Sequence, residues 1–151
     1  MKNIKLNIQN NTDNHYQISK KKIKIWIHRI IKKKCEITIR IVNILEIKQL
    51  NYTYRKQNKP TNILSFPFES IPHIKSQFIG DLIICLEIIK KESQSQQKTI
   101  EEHLAHIIIH GTLHLLGYTH DNIYNTKIMQ YIEIKNMIKL GYKNPYLPLK
   151  Y

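Results

Sequence analysis

The sequence predicts an α+β domain: a small central sheet of about four strands with about four to five helices. Three observations predict it. Short segments carry apolar residues at every second position, longer ones carry them at every third or fourth, and no linker or internal repeat divides the 151 residues. With 42% apolar and 23% charged residues, the composition is that of a globular chain rather than a collagenous or disordered one. A chain of this length is expected to bury roughly two-thirds of its unfolded surface. The expectation is therefore one domain over residues 1–151.

The elements follow in order. Ile4, Leu6 and Ile8 share one side of a short strand, and a polar stretch runs from Gln9 to Gln17. From Ser19 to Lys34, Ile23, Trp26, Ile27, Ile30 and Ile31 recur at helical spacing. Lys20, Lys21, Lys24, Lys32 and Lys33 surround them, giving an amphipathic basic helix. Glu36 to Val42 alternates, with Ile37, Ile39 and Ile41 against Glu36, Thr38 and Arg40, as a half-buried strand does. Ile44, Ile47, Leu50 and Tyr54 return to helical period. After a turn around Asn58, Lys59 and Pro60, Asn62 to Phe66 and Phe78 to Cys85 read as two strands, joined by a connection containing Pro67 and Pro72. Glu92 to Lys98 is polar and reads as a surface loop. Thr99 and Glu102 form a capping box, hydroxyl and carboxylate each satisfying a free backbone N–H, for a helix that runs to Leu116 and ends at Gly117. A last helix from about Asp121 to Leu140 carries Tyr124, Ile128, Tyr131, Ile134 and Ile138 on one stripe, stopped by Gly141 and Pro145.

Composition narrows the function. The most apolar run, Leu82 to Ile89, is broken by Glu87 and falls well short of the roughly 18 residues a membrane span needs, so no membrane partner is expected. The first residues, MKNIKLNIQNNTDNHY, lack the apolar core of a secretion signal, and a cytoplasmic location is expected. Cys35 and Cys85, without CxxC spacing, are expected to pack as small hydrophobes. The net charge of +13 favours polyanions such as RNA. It has a second source, however. Thirty Ile and 21 Lys against one Ala, one Val and three Arg are what AT-rich coding produces.

Five of the eight histidines fall between residues 103 and 120. His110 and His114 lie one helical turn apart on one face, which lets two imidazoles converge on one cation. Gly117 breaks the helix so that His120 can supply a third ligand. The spacing is that of HExxHxxGxxH, with Gly111 where that motif has glutamate. Three imidazoles leave a fourth tetrahedral position for water, as in a catalytic zinc site. His103 and His106 lie further back on the same face, as supports of the ligands or as core residues.

HGTLHLLGYTH closely resembles HGxLHLxGYDH, the signature of the YbeY family of bacterial metal-dependent endoribonucleases that act in ribosomal RNA maturation. Leu50 to Phe68 is similar to its LNxxYRxxDKPTxVLSFPF block, Ile79 to Cys85 to its LGDIVIC segment, and Met129, Glu133 and Leu140 to Tyr146 to its C-terminal helix and ending. The resemblance implies a zincin-like metal helix beside the sheet, with His110, His114 and His120 holding one zinc ion. It implies Arg55 as the functional arginine near the metal, so that Arg55 and His110 are the candidate catalytic residues and Arg55 also binds substrate. It further implies maturation of the 16S ribosomal RNA 3′ end, ribosome quality control, and the small ribosomal subunit with its assembly proteins as partners. Two family aspartates are replaced, by Asn58 and by Thr119, and Asp121 stands just after the latter.

Gly111 removes the general base of a zinc peptidase. Phosphodiester hydrolysis depends more on charge stabilisation, and a planar guanidinium such as Arg55, in a chain with seven lysines per arginine, suits phosphate oxygens. The expected activity is a single-strand-specific, zinc-dependent endoribonuclease. The alternative is a non-enzymatic RNA-binding assembly factor with a structural zinc. Asp81 is read two ways, as a hydrogen-bond partner of a loop or supporting histidine or as a strand-end turn residue. Ser65, Tyr118 and Thr119 are further candidates for substrate contact.

Overall fold

The structure is a computed structural model that describes residues 3–69, 72–73 and 76–147. Four strands, β1 (Ile4–Asn10), β2 (Cys35–Ile41), β3 (Ile63–Pro67) and β4 (Phe78–Ile84), form one sheet in the order β1-β2-β4-β3. The first two pairings are parallel and β3 runs antiparallel to β4. Five helices accompany it: α1 (Lys20–His28), α2 (Ile44–Arg55), α3 (Leu86–Ser95), α4 (Ile100–Leu115) and α5 (Ile123–Lys139). The α+β class is as the periodicities indicate. The connection between β3 and β4 lies partly outside the described residues.

The alternation in β2 divides the molecule into layers. Ile37, Ile39 and Ile41 join Leu82, Ile84 and Ile63 in a large core under α1 and α4, closed at one side by Met129 and Met137 of α5. A smaller cluster of Val42, Ile47, Leu64, Ile83 and Cys85 lies beneath α2 on the other face. Arg40 also belongs to that face and pairs with Glu46 at 2.8 Å. Cys35 and Cys85 are buried free thiols. No described helix is long and apolar enough to cross a membrane.

Several expectations are corrected. The strand β1 continues through Gln9 and Asn10, two residues into the stretch read as polar loop. The basic helix ends at His28 rather than Lys34; Ile31 is still buried, but in the turn that follows, and so mimics another helical position. The polar loop begins inside α3, where Leu86, Ile89 and Ser93 face inward at helical spacing. The apolar run Leu82 to Ile89 is thus the end of β4 and the start of α3 rather than one element. The capping box forms by half: the Thr99 hydroxyl accepts from Glu102 N–H at 3.1 Å, while the Glu102 carboxylate accepts from Lys143 N–H at 3.2 Å. On α5 the stripe of Tyr124, Ile128, Tyr131 and Ile138 is exposed, and Met129, Glu133, Asn136 and Met137 face inward instead.

Helix α4 packs closely on β3 and β4, and Gly111 permits it. A Cβ at that position would stand 2.6 Å from Cδ1 of Ile63 and 3.0 Å from Cδ2 of Leu82. The residue that replaces the peptidase glutamate therefore faces the sheet, where a side chain has no room.

Candidate metal centre

Helix α4 carries the histidines in two settings. Its N-terminal half is interior: His103 and His106 are buried. Nε2 of His103 lies 2.9 Å from Glu92 of α3. At the other end His110 and His114 face a cavity, and Gly117, with φ +97°, turns the chain back so that His120 joins them. That left-handed conformation is the reason for glycine there. Ligand atoms of His110, His114 and His120 all lie within 4.8 Å of one another, and the three can hold a metal ion.

The hydrogen bonds assign the tautomers. Nδ1–H of His110 donates to Oε1 of Glu133 at 3.1 Å, and Nδ1–H of His114 donates to the Tyr118 carbonyl at 2.9 Å. Both rings are left with a bare Nε2, and these two atoms stand only 3.1 Å apart. Two lone pairs facing each other at that distance repel unless a cation lies between them, so the donor set fits a metal. The imidazole of His114 is held down at about 4, by burial first and then by His110, His120 and Arg55, which keeps it in the neutral form a metal ligand requires.

Behind the ligands sits Glu133, fully buried on the inner side of α5. Its Oε1 also accepts from Nε2 of His106 at 2.7 Å and from the Tyr146 hydroxyl at 2.8 Å. Burial alone would raise its carboxyl, but the bonds from His106 and His110 outweigh that and hold it at about 2. Burial, and after it the neighbouring carboxylate, pushes the Tyr146 phenol above its ordinary range.

The cavity holds about 880 Å³ and brings the three histidines together with His106, Arg55, Tyr54, Ser65, Tyr118, Thr119 and Tyr146. Arg55 is exposed in the last turn of α2. Its position is set by Asn51, 1% exposed, whose Nδ2 donates to the Lys59 carbonyl at 2.9 Å, and by Lys56, which closes the helix at φ +59°. Tyr54 packs edge-on against Phe66, centroids 5.0 Å apart, tying the same turn to β3. Ser65 donates to the Gly111 carbonyl at 3.1 Å.

Three sequence candidates stand outside this arrangement. Asp81 lies in β4 on the face of Arg40, not at a histidine; burial raises its carboxyl and Arg40 opposes the rise. Asn58 is exposed and absent from the cavity wall. Asp121 accepts from Thr119 Oγ1 and Asn125 Nδ2, both at 2.9 Å, so it braces the loop before α5. Sequence reasoning gave no role to Glu133 or Tyr146. The available signal was the spacing Met129, Glu133, Met137, which puts the sole carboxylate of α5 on its buried stripe.

Comparison with known proteins gives the family and the fold. A family model described as Endoribonuclease YbeY matches residues 7–141. An Endoribonuclease YbeY of Buchnera aphidicola subsp. Acyrthosiphon pisum (strain APS) is 52% identical over 151 residues, covering 97% of each chain. Another, from Buchnera aphidicola subsp. Baizongia pistaciae (strain Bp), is 47% identical, covering 97% of this chain and 98% of the relative. A solution structure of a Thermotoga maritima protein superposes with a TM-score of 0.60 at 26% identity, over 89% of this chain and 88% of that one. Agreement of that extent, over nearly the full length of both partners, means that the chain belongs to the YbeY family.

Proposed function

We propose that the chain is an endoribonuclease in which His110, His114 and His120 hold a single zinc ion and Arg55 binds the phosphate of the scissile link. The observation that carries this reading is the cluster of three imidazoles opening on a cavity whose wall also holds a guanidinium. The family's relatives are named endoribonucleases, and RNA is the substrate class. Maturation of ribosomal RNA, the small ribosomal subunit and its assembly proteins as partners, and a cytoplasmic location complete the proposal. One domain carries the whole activity.

Three neutral nitrogen donors with one open corner are the donor set of a catalytic zinc site. When bound, zinc lowers the pKa of its water toward about 7 and polarises a phosphoryl oxygen. The protein's own residues do the rest. Arg55, as a planar fork, takes two phosphate oxygens at once and stabilises the added negative charge of the transition state. The net charge of +13 draws the backbone in. Hydrogen bonds to Glu133 and to the Tyr118 carbonyl hold His110 and His114 with Nε2 aimed at the cavity. Gly111 offers no carboxylate to protonate a leaving amine, which separates this chemistry from peptide hydrolysis.

The test measures metal content and cleavage of single-stranded RNA by wild type, His114→Ala, Arg55→Ala and Arg55→Lys. His114→Ala is expected to lose metal and at least ~100-fold in rate. Unchanged cleavage there eliminates the zinc mechanism. Arg55→Lys is expected to keep its metal and lose about 10- to 100-fold, because an ammonium cannot grip phosphate with two prongs. Normal turnover in that variant removes Arg55 from the reaction.

A further inference from the structure

We propose that Glu133 is a positioning residue of the metal centre: by accepting the Nδ1 proton of His110, its buried carboxylate keeps Nε2 of that ring bare and aimed at the other two imidazoles. The inference rests on the reading of His110 as a ligand and adds to it the residue that fixes the ring.

The geometry points to Glu133 in three ways. First, His106 Nε2, His110 Nδ1 and the Tyr146 hydroxyl all reach the same oxygen, Oε1, at 2.7, 3.1 and 2.8 Å. An acceptor saturated by donors on that side leaves the His110 ring one orientation in which it is satisfied. A flipped ring would turn a bare nitrogen to the carboxylate and carry the proton into the 3.1 Å gap facing His114. Second, the carboxylate is fully buried, and among the described residues the basic side chains that reach it are the imidazoles of His106 and His110, with no lysine or arginine. A buried negative charge without a fixed cation is costly. A metal ion held by His110, His114 and His120 would supply the balancing positive charge. Third, among the described residues Oε2 has no partner, so the side chain is committed to these donors through one oxygen.

A carboxylate on Nδ1–H also makes the opposite nitrogen a stronger donor to a cation, so its loss should appear in metal affinity before anything else. Tyr146 is part of the cavity wall and its hydroxyl donates to Oε1, so it links the carboxylate to the cavity.

The experiment uses the full-length protein and zinc alone, without RNA. Zinc affinity is measured by competition with a chromophoric chelator for wild type, Glu133→Gln and Glu133→Ala. The His110 tautomer is read from long-range ¹H–¹⁵N spectra of the metal-free wild type. Glu133→Gln, which keeps an acceptor but deletes the charge, is expected to bind zinc about tenfold more weakly, and Glu133→Ala up to about a hundredfold. The wild-type His110 is expected to be protonated at Nδ1. A purely structural role would lower the melting temperature of Glu133→Ala and leave the zinc affinity of the folded protein unchanged; that result overturns the proposal. So does a wild-type His110 protonated at Nε2, which needs no variant to detect. A wild type that binds no zinc overturns the ligand assignment itself, an outcome distinct from equal affinity in wild type and variants.

Discussion

The two halves of α4 carry the same side chain in opposite circumstances. At its N-terminal half His103 and His106 are 3% and 8% exposed, and each meets a carboxylate, Glu92 or Glu133. Beyond His110, His114 is braced among the described residues by a backbone carbonyl rather than a carboxylate, and His120 stands exposed on the loop. His110 is the junction, with Nδ1 on the buried carboxylate and Nε2 among the cavity imidazoles. Residue type is shared by all five, and the helical face by the four on α4. What separates a fixture from a ligand is where the remaining nitrogen points, and helix geometry plus the turn at Gly117 decide that.

The sharpest way to break this comparison is to exchange one histidine from each setting. His120→Ala is expected to abolish stable metal binding and cut cleavage at least ~100-fold, with the fold intact because the residue is exposed. His103→Ala should do the reverse, keeping metal and turnover while losing about 1–3 kcal/mol as Glu92 is left short of a partner. Metal analysis and denaturant unfolding on the same preparations check both. If His103→Ala also lost its metal, the division of the helix would be wrong.

Chelation sharpens the same contrast. The core under α1 and α4 is built from apolar side chains and does not include the cavity histidines. Stripping the metal is therefore expected to remove only the stabilisation a ligand confers, about 3–4 kcal/mol at a hundred to a thousand times its dissociation constant. The metal-free domain should still melt cooperatively in calorimetry. Loss of the transition on chelation would instead favour a structural zinc and the non-enzymatic assembly factor.

Much of this division was legible in the sequence. The spacing of His110, His114, Gly117 and His120 encodes a local geometry, one helical turn and one reversal, so the three rings meet as expected. The alternation of β2 survives because one face of a sheet is buried along its whole length. Illegible were the contacts made at a distance. Glu133 reaches His106 and His110 across 27 and 23 positions of chain, and although its spacing with Met129 and Met137 marks the inner stripe of α5, nothing local tells which side chains it meets there. The stripe of Tyr124, Ile128 and Tyr131 has helical spacing yet is exposed, because isoleucine is so frequent here that apolar periodicity no longer marks the buried side. The same abundance hides the start of α3 within the apolar run from Leu82 to Ile89, which Glu87 alone interrupts.

Gly111 gives a smaller effect, on the sheet side of α4. Gly111→Ala places a methyl 2.6 Å from Cδ1 of Ile63 and about as close to Leu82 as packing tolerates. The expected cost is about 1–3 kcal/mol of overpacking, read from chemical denaturation. Because the shift moves α4 away from β3, metal affinity should fall with stability. Stability that fell with unchanged affinity would show that the cavity tolerates movement of its own floor.

The gentlest perturbation is pH, because its effect is spread over several units. In the metal-free protein His114 titrates at about 4 in the fold against an ordinary 6.5, and burial lowers His106 in the same direction. The unfolded chain therefore binds these protons first, so their contribution is complete above about 6.5 and declines as pH falls below it. Glu133 titrates at about 2 against an ordinary 4.5, so its contribution is intact above about 4.5 and is lost as pH drops toward about 2. Denaturation midpoints across this range should fall in two stages, one beginning near neutrality and one in the acid range. Glu133→Gln should shrink the second stage, leaving the part due to Glu92 and Asp121, whose carboxyls are also lowered, and keep the His114 part of the first. A single stage in wild type would mean that the carboxylate and the imidazoles lose their protons as one unit, and the two ends of α4 would then be electrostatically continuous rather than distinct.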